Sequence, residues 1–344
     1  MKRSIILFAA LILAIVFAIP AFSASSLSTP IVSVYLTKRV ILTQEQLDEK
    51  FELYKQSYGD SITQDDVLEA MISDELLSQA MARDGYTLTD SQKDELLASQ
   101  KQSIEQQLGM SLTDEQFEYV LQTQAGTDIA TYREYIAEQY LVQAYVANMK
   151  ADMFKDENLI PSDSDIETFY KKNKSSFISP ENVKLAHIYF KFNDDKAAAF
   201  KKATDVSNLI KNGKITFEKA VSQYSEDSDS VESAGEIGWL SIEDSDNRTK
   251  MGENFFDKVF QMDAGDVSDV IESNAGYHIV KVSVHNDTRI LALTDKISPT
   301  DSSTVYDYIK EYLYSQNMND MYTTAFKSLI EDLMSAATIK YINL

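Results

Sequence analysis

The sequence predicts an α+β fold in which helical segments flank a segment that mixes strands with helices. Apolar residues recur at helical spacing through residues 43–173 and again through residues 303–334, as in helices that bury one face. Residues 183–192 and 277–284 instead have strand patterns, the first apolar on both faces and the second alternating. A Ser179-Pro180 pair precedes the mixed segment, and proline disfavours a helical residue before it.

Capping signals place the elements in chain order. Residues 31–42 predict a β-hairpin or a bent strand pair. Thr43 followed by Gln46 is a capping box, and Thr63 opens a second helix that stops near Gly85. The same reasoning predicts helices over residues 89–108, 113–124, 131–154, 162–173 and 303–334, and a closing strand over residues 338–342.

Residues 1–23 have the layout of a secretory signal peptide. A basic start and an apolar run over residues 5–19 precede Pro20 and small residues. The run is shorter than the about 20 residues that a membrane-spanning helix needs, so we expect cleavage and a periplasmic or otherwise exported protein. The cleaved bond is open between the positions after Ser23 and Ala24, and an uncleaved anchor is the alternative.

Composition argues against several classes of protein. The formal charge of −22 at pH 7 repels nucleic acid and anionic lipid, so we expect no nucleic-acid partner and no membrane insertion after signal cleavage. The chain has no cysteine and three histidines, which excludes a disulfide framework and argues against a zinc site. The sequence contains no phosphate-binding glycine loop and no GxSxG elbow. We therefore expect neither a metal nor a cofactor.

Two histidines lie inside the strand patterns of the mixed segment. His187 is in the sequence LAHI and His278 is in GYHI, and strand parity points both side chains into the core. Between them lie FEKAVSQYS at residues 217–225 and GEIGWL at residues 235–240. This order of segments resembles the parvulin family of peptidyl-prolyl isomerases over roughly residues 181–285.

The parvulin resemblance implies a small antiparallel sheet surrounded by helices and gives individual residues a role. In the family, the matching histidines lie side by side on adjacent central strands, beneath the proline site, and share a hydrogen bond. Asp227 aligns with a family position held by cysteine or aspartate and is the candidate polar group facing the substrate amide. The resemblance thus implies catalytic roles for His187, Asp227 and His278. The alternatives are core histidines bonded to backbone and, for Asp227, an acidic surface loop.

The resemblance also implies a proline pocket. The family uses a methionine and, four residues later, a phenylalanine; Met251 and Phe255 have that spacing, which is one turn of a helix. Phe256, Trp239 and Ser273 complete the predicted substrate-binding residues. The alternative for Met251 and Phe255 is ordinary core packing.

Two features of the sequence bear on catalysis and specificity. Ala275 replaces a position that often carries a hydroxyl in the family, and Ser273 keeps one nearby. Phosphate-directed parvulins carry a basic cluster after the first strand, whereas residues 193–196 read NDDK and would repel a phosphate. The resemblance therefore implies isomerisation of X–Pro bonds without a phosphate preference.

The flanking segments, residues 31–180 and 300–344, resemble periplasmic chaperones of the SurA type in their order of elements. In those proteins a C-terminal helix and strand complete the N-terminal domain. The expected fold is a mainly helical chaperone domain, formed by N- and C-terminal segments, with an inserted parvulin domain. The expected boundaries are 1–23 for the signal peptide, 24–180 and 286–344 for the chaperone segments, and 181–285 for the isomerase domain.

The resulting hypothesis is an exported folding factor that binds unfolded or nascent exported polypeptides, envelope proteins among them, and isomerises X–Pro bonds. One alternative is a chaperone or peptide-binding protein whose parvulin domain is catalytically weak or inactive. Another is a structural or adhesion protein of the cell envelope, which no feature of the sequence favours.

Overall fold

The computed structural model describes residues 29–192 and 195–342. The predicted signal peptide, residues 1–23, and the Asn193-Asp194 pair lie outside the described residues. The chain divides into two compact units, Met1–Leu159 with Gln316–Leu344, and Ile160–Ser315. The predicted α+β fold class is confirmed. Among the described helices, none is both long and apolar enough to cross a membrane.

The N-terminal part of the first unit is a hairpin followed by helices. Four of these helices begin with a capping box or cap at the predicted threonines, from Thr43 to Thr113. The elements are β1 (Pro30–Tyr35), β2 (Arg39–Thr43), α1 (Gln44–Tyr58), α2 (Gln64–Arg83), α3 (Asp90–Leu108), α4 (Asp114–Ala125), α5 (Ile129–Met149) and α6 (Asp156–Leu159).

The helix predicted over residues 131–154 is wrong at both ends. It is α5, which starts at Ile129 because the Asp128 side chain accepts from the Thr131 amide and caps it. It ends at Met149, since Lys150 leaves the helical region with φ −118° and ψ 30°. A short 3₁₀ turn, Ala151–Phe154, follows.

The second unit contains an antiparallel four-stranded sheet in the order β5-β4-β7-β6, and a separate two-stranded ladder of β3 with β8. Its elements are α7 (Asp163–Lys172), β3 (Ile178–Ser179), β4 (Asn182–Lys191), α8 (Lys196–Lys211), α9 (Phe217–Tyr224), α10 (Ser228–Val231), β5 (Glu236–Ser241), α11 (Ser245–Met251), α12 (Glu253–Val259), β6 (Ile271–Glu272), β7 (Gly276–Asn286) and β8 (Arg289–Ile290).

The last two elements are α13 (Val305–Ala336) and β9 (Thr338–Tyr341). The start of α13 buries Val305 and Ile309 in the second unit, and its end buries Leu329 and Leu333 in the first. Strand β9 pairs antiparallel with β1, with Val34 opposite Ile339. The closing strand predicted over residues 338–342 is therefore confirmed as the third strand of the N-terminal sheet, whose order is β2-β1-β9.

Strand β4 is buried on both faces, as its sequence predicts. Val183 and Leu185 belong to an apolar cluster with Phe255 and Phe256 of α12. Side chains of the opposite parity, Ile188 and Phe190 among them, pack with residues of α8 and α9. We call these two sides of the four-stranded sheet the α12 face and the α8–α9 face.

Candidate active site

The site is built on the two central strands of the four-stranded sheet. His187 of β4 and His278 of β7 are buried, with 6% and 2% of their surface exposed. Their Nδ1 atoms are 3.1 Å apart, and the two ring centroids are separated by 5.1 Å. The hydrogen bond between adjacent histidines that the parvulin resemblance implies is thus present, although each histidine's catalytic role stays a prediction.

The histidine pair is extended by a hydrogen bond at each end. His187 Nε2 lies 2.8 Å from Asp227 Oδ2, and His278 Nε2 lies 2.8 Å from Ser273 Oγ. The structure thereby joins four of the residues singled out in the sequence. A fifth member, Ser230, was missed: its hydroxyl donates to Asp227 Oδ2 at 2.6 Å. Its signal was a serine three residues after an aspartate, a spacing that allows a local side-chain bond.

The proton positions along the hydrogen-bonded residues from Ser273 to Asp227 follow from the negative charge of the Asp227 carboxylate. An ionised Asp227 can only accept, so His187 Nε2–H donates to it and leaves His187 Nδ1 as an acceptor. His278 Nδ1–H then donates to His187, and the Ser273 hydroxyl donates to His278 Nε2. Ser273 Oγ in turn accepts from the backbone N–H groups of Ala275 and Gly276, both at 3.2 Å. The hydroxyl of Ser273 and the donating nitrogens of His278 and His187 therefore all donate in the direction of Asp227.

Burial and hydrogen bonding determine the charge states of His187, His278 and Asp227. Burial lowers the pKa of His278 to about 3, with further lowering by the neighbouring His187. Burial also lowers the pKa of His187, against the opposing effect of Asp227. Burial alone would raise the pKa of Asp227, but hydrogen bonds from Ser230 and His187 bring it below its usual value. At neutral pH the imidazoles are neutral and the carboxylate is ionised.

Within the hydrogen-bonded series from Ser273 to Asp227, Asp227 is the residue that solvent can reach. Its side chain is 24% exposed, against 8% for the side chain of His187. The preceding residue, Glu226, binds β4 twice, through its N–H to Tyr189 O and through its carboxylate to the Lys191 N–H. The Asp227 loop is therefore fixed against the sheet, unlike a solvated acidic loop.

Tyr189 is a further residue that sequence reasoning did not assign. It stands opposite His278 in the β4–β7 pairing, and its ring lies 4.9 Å from that imidazole and 5.9 Å from the ring of His187. Its hydroxyl donates to Ala275 O at 2.9 Å. The available signal was its parity with His187, two residues earlier on the same strand.

The predicted continuous helical turn from Met251 to Phe255 is wrong. Helix α11 ends at Met251, Gly252 adopts φ +91°, and α12 begins at Glu253. Both side chains nevertheless pack in the apolar cluster of the α12 face. The break arises at a residue whose backbone conformation favours glycine.

The two phenylalanines of α12 are core residues by exposure. Phe255 is 1% exposed and sets its ring at 70° to the His278 ring, with centroids 5.1 Å apart. Phe256 is fully buried, with the Arg248 guanidinium 4.7 Å from its ring centroid. Phe255 thus exposes almost no apolar surface, whereas Met251 remains partly exposed, and the substrate-binding roles of both residues and of Phe256 stay predictions.

Strand β5 adds an exposed apolar side chain. Leu185 pairs with Gly238 and Ala186 with Glu236, so Ile237 between them is the extra residue of a β-bulge and is 41% exposed. Bulges next to active sites redirect side chains. The His187 amide donates to Gly235 O at 2.8 Å, which places this part of β5 beside the histidine pair.

The predicted substrate residue Trp239 has a different position. It stands opposite Lys184 on β4, three residues before His187, and is partly buried. Within the described residues it belongs neither to the apolar cluster around Phe255 nor to the hydrogen-bonded chain. Its role in substrate binding stays a prediction.

Comparison with known proteins agrees with this geometry. Residues 187–284 match the family model described as Rotamase, PPIC-type PPIase domain. A foldase protein PrsA of Clostridium botulinum strain Langeland is 25% identical over 301 residues, which cover 86% of this chain and 78% of that protein. A chaperone SurA of Nitrosococcus oceani is 30% identical over 224 residues, 63% of this chain and 47% of that protein. A solved structure of one of two SurA-like chaperones of Campylobacter jejuni aligns with 92% of this chain and all of that chain, at 15% identity and a TM-score of 0.37.

The fold, the paired histidines and the family match define a parvulin-type peptidyl-prolyl cis-trans isomerase domain. The predicted enzyme class is therefore confirmed. Outside this domain the chain is similar to a PrsA foldase and to a SurA chaperone, and the similarity extends well beyond residues 187–284.

Proposed function

We propose that this protein is an exported folding factor that binds unfolded polypeptides and isomerises their X–Pro bonds without requiring a phosphate. The observation that carries the proposal is the buried hydrogen-bonded chain from Ser273 to Asp227, whose Asp227 end is accessible to solvent. Export is proposed from the signal-like sequence of residues 1–23. Mass measurement of the secreted protein tests that part, because cleavage would remove this segment.

The reaction requires rotation about an amide bond but no covalent bond need break. The barrier is about 18–20 kcal/mol and arises from amide resonance. Resonance places negative charge on the carbonyl oxygen, and twisting removes it. A fixed negative charge near that oxygen therefore destabilises the planar amide more than the twisted one. We assign this role to the Asp227 carboxylate, which Ser230 and His187 hold in place before the substrate arrives.

The histidines in this scheme orient Asp227 and transfer no proton. Their pKa values lie below the ordinary range, so both rings stay neutral at physiological pH. Replacing Asp227 with asparagine tests the charge, because the side chain keeps its shape. We expect Asp227→Asn to lower turnover by about 10-fold or more, with little change in folding. Unchanged turnover would exclude an electrostatic role for the carboxylate.

Proline is proposed to contact Met251, which is partly exposed at the apolar cluster of the α12 face, and Ile237, which is exposed at the bulge of β5. Apolar contact favours the twisted amide because that state is less polar than the planar one, and it keeps water from the bond. Phe255 supports this surface from behind, since it is buried against His278.

A phosphate before the proline would be disfavoured by local charge. Asp227 is preceded by Glu226, and Asp229 lies two residues after it. The nearby Lys202 is paired with Glu226, and Asp195 caps α8 by accepting from the Ala198 amide. Each phosphate carries close to two negative charges at neutral pH, so these carboxylates would repel it.

Client binding is proposed for the helical unit. Three exposed apolar side chains are Leu108 at the end of α3, Met110 in the α3–α4 connection and Tyr119 on α4, which are 53%, 51% and 68% exposed. Replacing all three with serine should weaken suppression of client aggregation, because it removes apolar contact area. The matched control is Phe200→Ser on α8, which removes a side chain that is 50% exposed in the other unit.

The decisive experiment measures cis/trans exchange by NMR with the full chain and two peptides. We expect faster exchange for an unphosphorylated X–Pro tetrapeptide and no gain for its phosphoserine-proline counterpart. A strong preference for the phosphorylated peptide would exclude the phosphate-independent part. Saturable binding without faster exchange would instead show a peptide-binding module, and failure to suppress aggregation would remove the chaperone part.

A further inference from the structure

The loop between β6 and β7, residues 273–275, contacts both the histidine pair and helix α11. On one side, Ser273 binds the His278 ring. On the other, Asn274 binds the end of α11: its backbone N–H donates to Met251 O, and its side-chain Nδ2 donates to Thr249 O, both at 3.0 Å. Adjacent residues of one loop therefore hold the histidine pair and the helix that carries Met251.

Asn274 supplies donors that α11 lacks. The last carbonyl groups of a helix have no partner within the helix, and Asn274 satisfies those of Thr249 and Met251. Gly252 makes the approach possible, because the chain leaves α11 there at φ +91° and a Cβ atom would lie 2.8 Å from Asn274 Oδ1. The same glycine thus ends the helix and gives Asn274 room.

We propose that Asn274 is a positioning residue that fixes Met251 relative to the His187–His278 pair. The inference rests on the proposed function only for the assignment of Met251 as a residue that contacts proline. Loss of the amide donor should let the end of α11 move. Proline binding should then weaken, while the chain from Ser273 to Asp227 stays intact because none of its bonds uses the Asn274 side chain.

A second contact should keep α12 docked on the sheet when Asn274 is replaced, so that the effect on Met251 can be told apart from a loss of stability. The Asn254 side chain donates to Glu272 O at 2.8 Å and ties α12 to β6 independently. Phe255 and Phe256, which belong to α12, are also buried. The helix should therefore stay docked when Asn274 is changed, and the effect should concentrate on Met251.

The test uses the full chain with Asn274→Asp and Asn274→Ala. Aspartate keeps the shape but cannot donate to Thr249 O, and alanine removes the side chain. The matched control is Asn212→Ala, because Asn212 Nδ2 donates to a helix carbonyl, Asn208 O, at the end of α8. We expect both Asn274 variants to raise KM for an X–Pro peptide by about 2- to 10-fold, the range of one hydrogen bond, with kcat nearly unchanged. The control should leave both constants unchanged.

A second readout does not depend on turnover. In protein labelled with ¹³C-methyl methionine, the Met251 methyl resonance should shift or broaden in both Asn274 variants and stay in place in Asn212→Ala. Unchanged KM and an unchanged Met251 signal would overturn the proposal, as would a fall in kcat with constant KM. If the unaltered protein shows no isomerase activity, the proposed function fails, and the methyl signal alone decides the positioning role.

Discussion

The two faces of the four-stranded sheet are stabilised differently. On the α8–α9 face, Ile188 and Phe190 pack within a cluster of apolar side chains. On the α12 face, apolar residues share the interior with His187 and His278, whose ring nitrogens all have hydrogen-bonding partners. Apolar packing tolerates changes that conserve volume, whereas a buried polar chain is stable only when every partner is present. The α12 face is therefore both part of the apolar core and the candidate active site. Some substitutions on it should mainly lower the free energy of unfolding, and others should mainly lower turnover.

The largest expected effect is the loss of stability when a buried phenylalanine is truncated on either face of the sheet. Phe190→Ala and Phe255→Ala should each lower the free energy of unfolding by about 3–5 kcal/mol, because both side chains are fully buried. The partly exposed Met251 should lose at most about 2 kcal/mol on truncation, yet Met251→Ala should lower turnover more. Urea unfolding followed by fluorescence of Trp239, the single tryptophan, reports on this unit. A stable Phe255→Ala variant without turnover would make Phe255 a substrate-contact residue instead.

A smaller effect is expected in the polar chain. His187→Ala and His278→Ala should each cost about 1–3 kcal/mol, because each leaves a buried partner unsatisfied. The double variant should cost less than the sum, since neighbours in one network couple. Phe217→Leu on the α8–α9 face provides the control and should add to either histidine change. Additive costs for the histidine pair would contradict their hydrogen bond in solution.

Acid should weaken the α12 face selectively. The pKa of His278 is about 3 in the folded protein, against 6.5 for an ordinary histidine. Below pH 6.5 the unfolded chain therefore binds a proton that the folded chain does not, and stability falls as the pH drops from 6.5 toward 3. The difference in unfolding free energy between the native chain and the His187→Ala/His278→Ala variant isolates this effect from the many carboxylates. A difference that is constant between pH 7.5 and 4.5 would contradict it.

The smallest effect concerns the third histidine, and it has the opposite sign. His285 Nδ1 lies 2.6 Å from Met262 O, and Nε2 lies 2.9 Å from Glu181 Oε1. Both partners accept, so both nitrogens donate only when the ring is protonated. The bond to Met262 O and the carboxylates of Glu181 and Asp287 raise the pKa of His285.

Stability from this pair of bonds is therefore complete below pH 6.5 and is lost as the pH rises through the folded pKa. His285→Gln should cost about 1 kcal/mol at pH 6 and less at pH 9, by urea unfolding. Glu181→Gln serves as the companion variant, because it should lower the pKa of His285 measured by NMR. A cost that grows with pH would show that His285 is neutral.

Much of this architecture was predictable because its signals are local. Threonine caps marked four helix starts, from Thr43 to Thr113. Strand parity placed His187 and His278 on one face. The end of α5 at Met149 was missed because apolar residues continue at helical spacing to residue 154 and no glycine or proline marks the stop.

The missed parts of the site depend on chain reversals and pairings that spacing cannot show. Met251 and Phe255 have helical spacing, yet the positive φ of Gly252 separates them. Ile237 is an extra residue only relative to β4, so its exposure requires the register of the partner strand. Tyr189 meets His278 across two strands that are far apart in sequence. Such features follow from tertiary packing rather than from a local pattern.

The pairing of β1 with β9 has a consequence for the order in which the chain can fold. Residues 34 and 339 must meet before the first sheet is complete, whereas residues 160–315 form a continuous segment. During synthesis or transport from the N-terminus, we expect the edge of β1 to wait unpaired while the isomerase unit folds. Closing so long a loop slows folding, and a waiting strand edge invites association with other chains. If the proposed function holds, a folding factor would itself need protection until β9 is available to pair with β1.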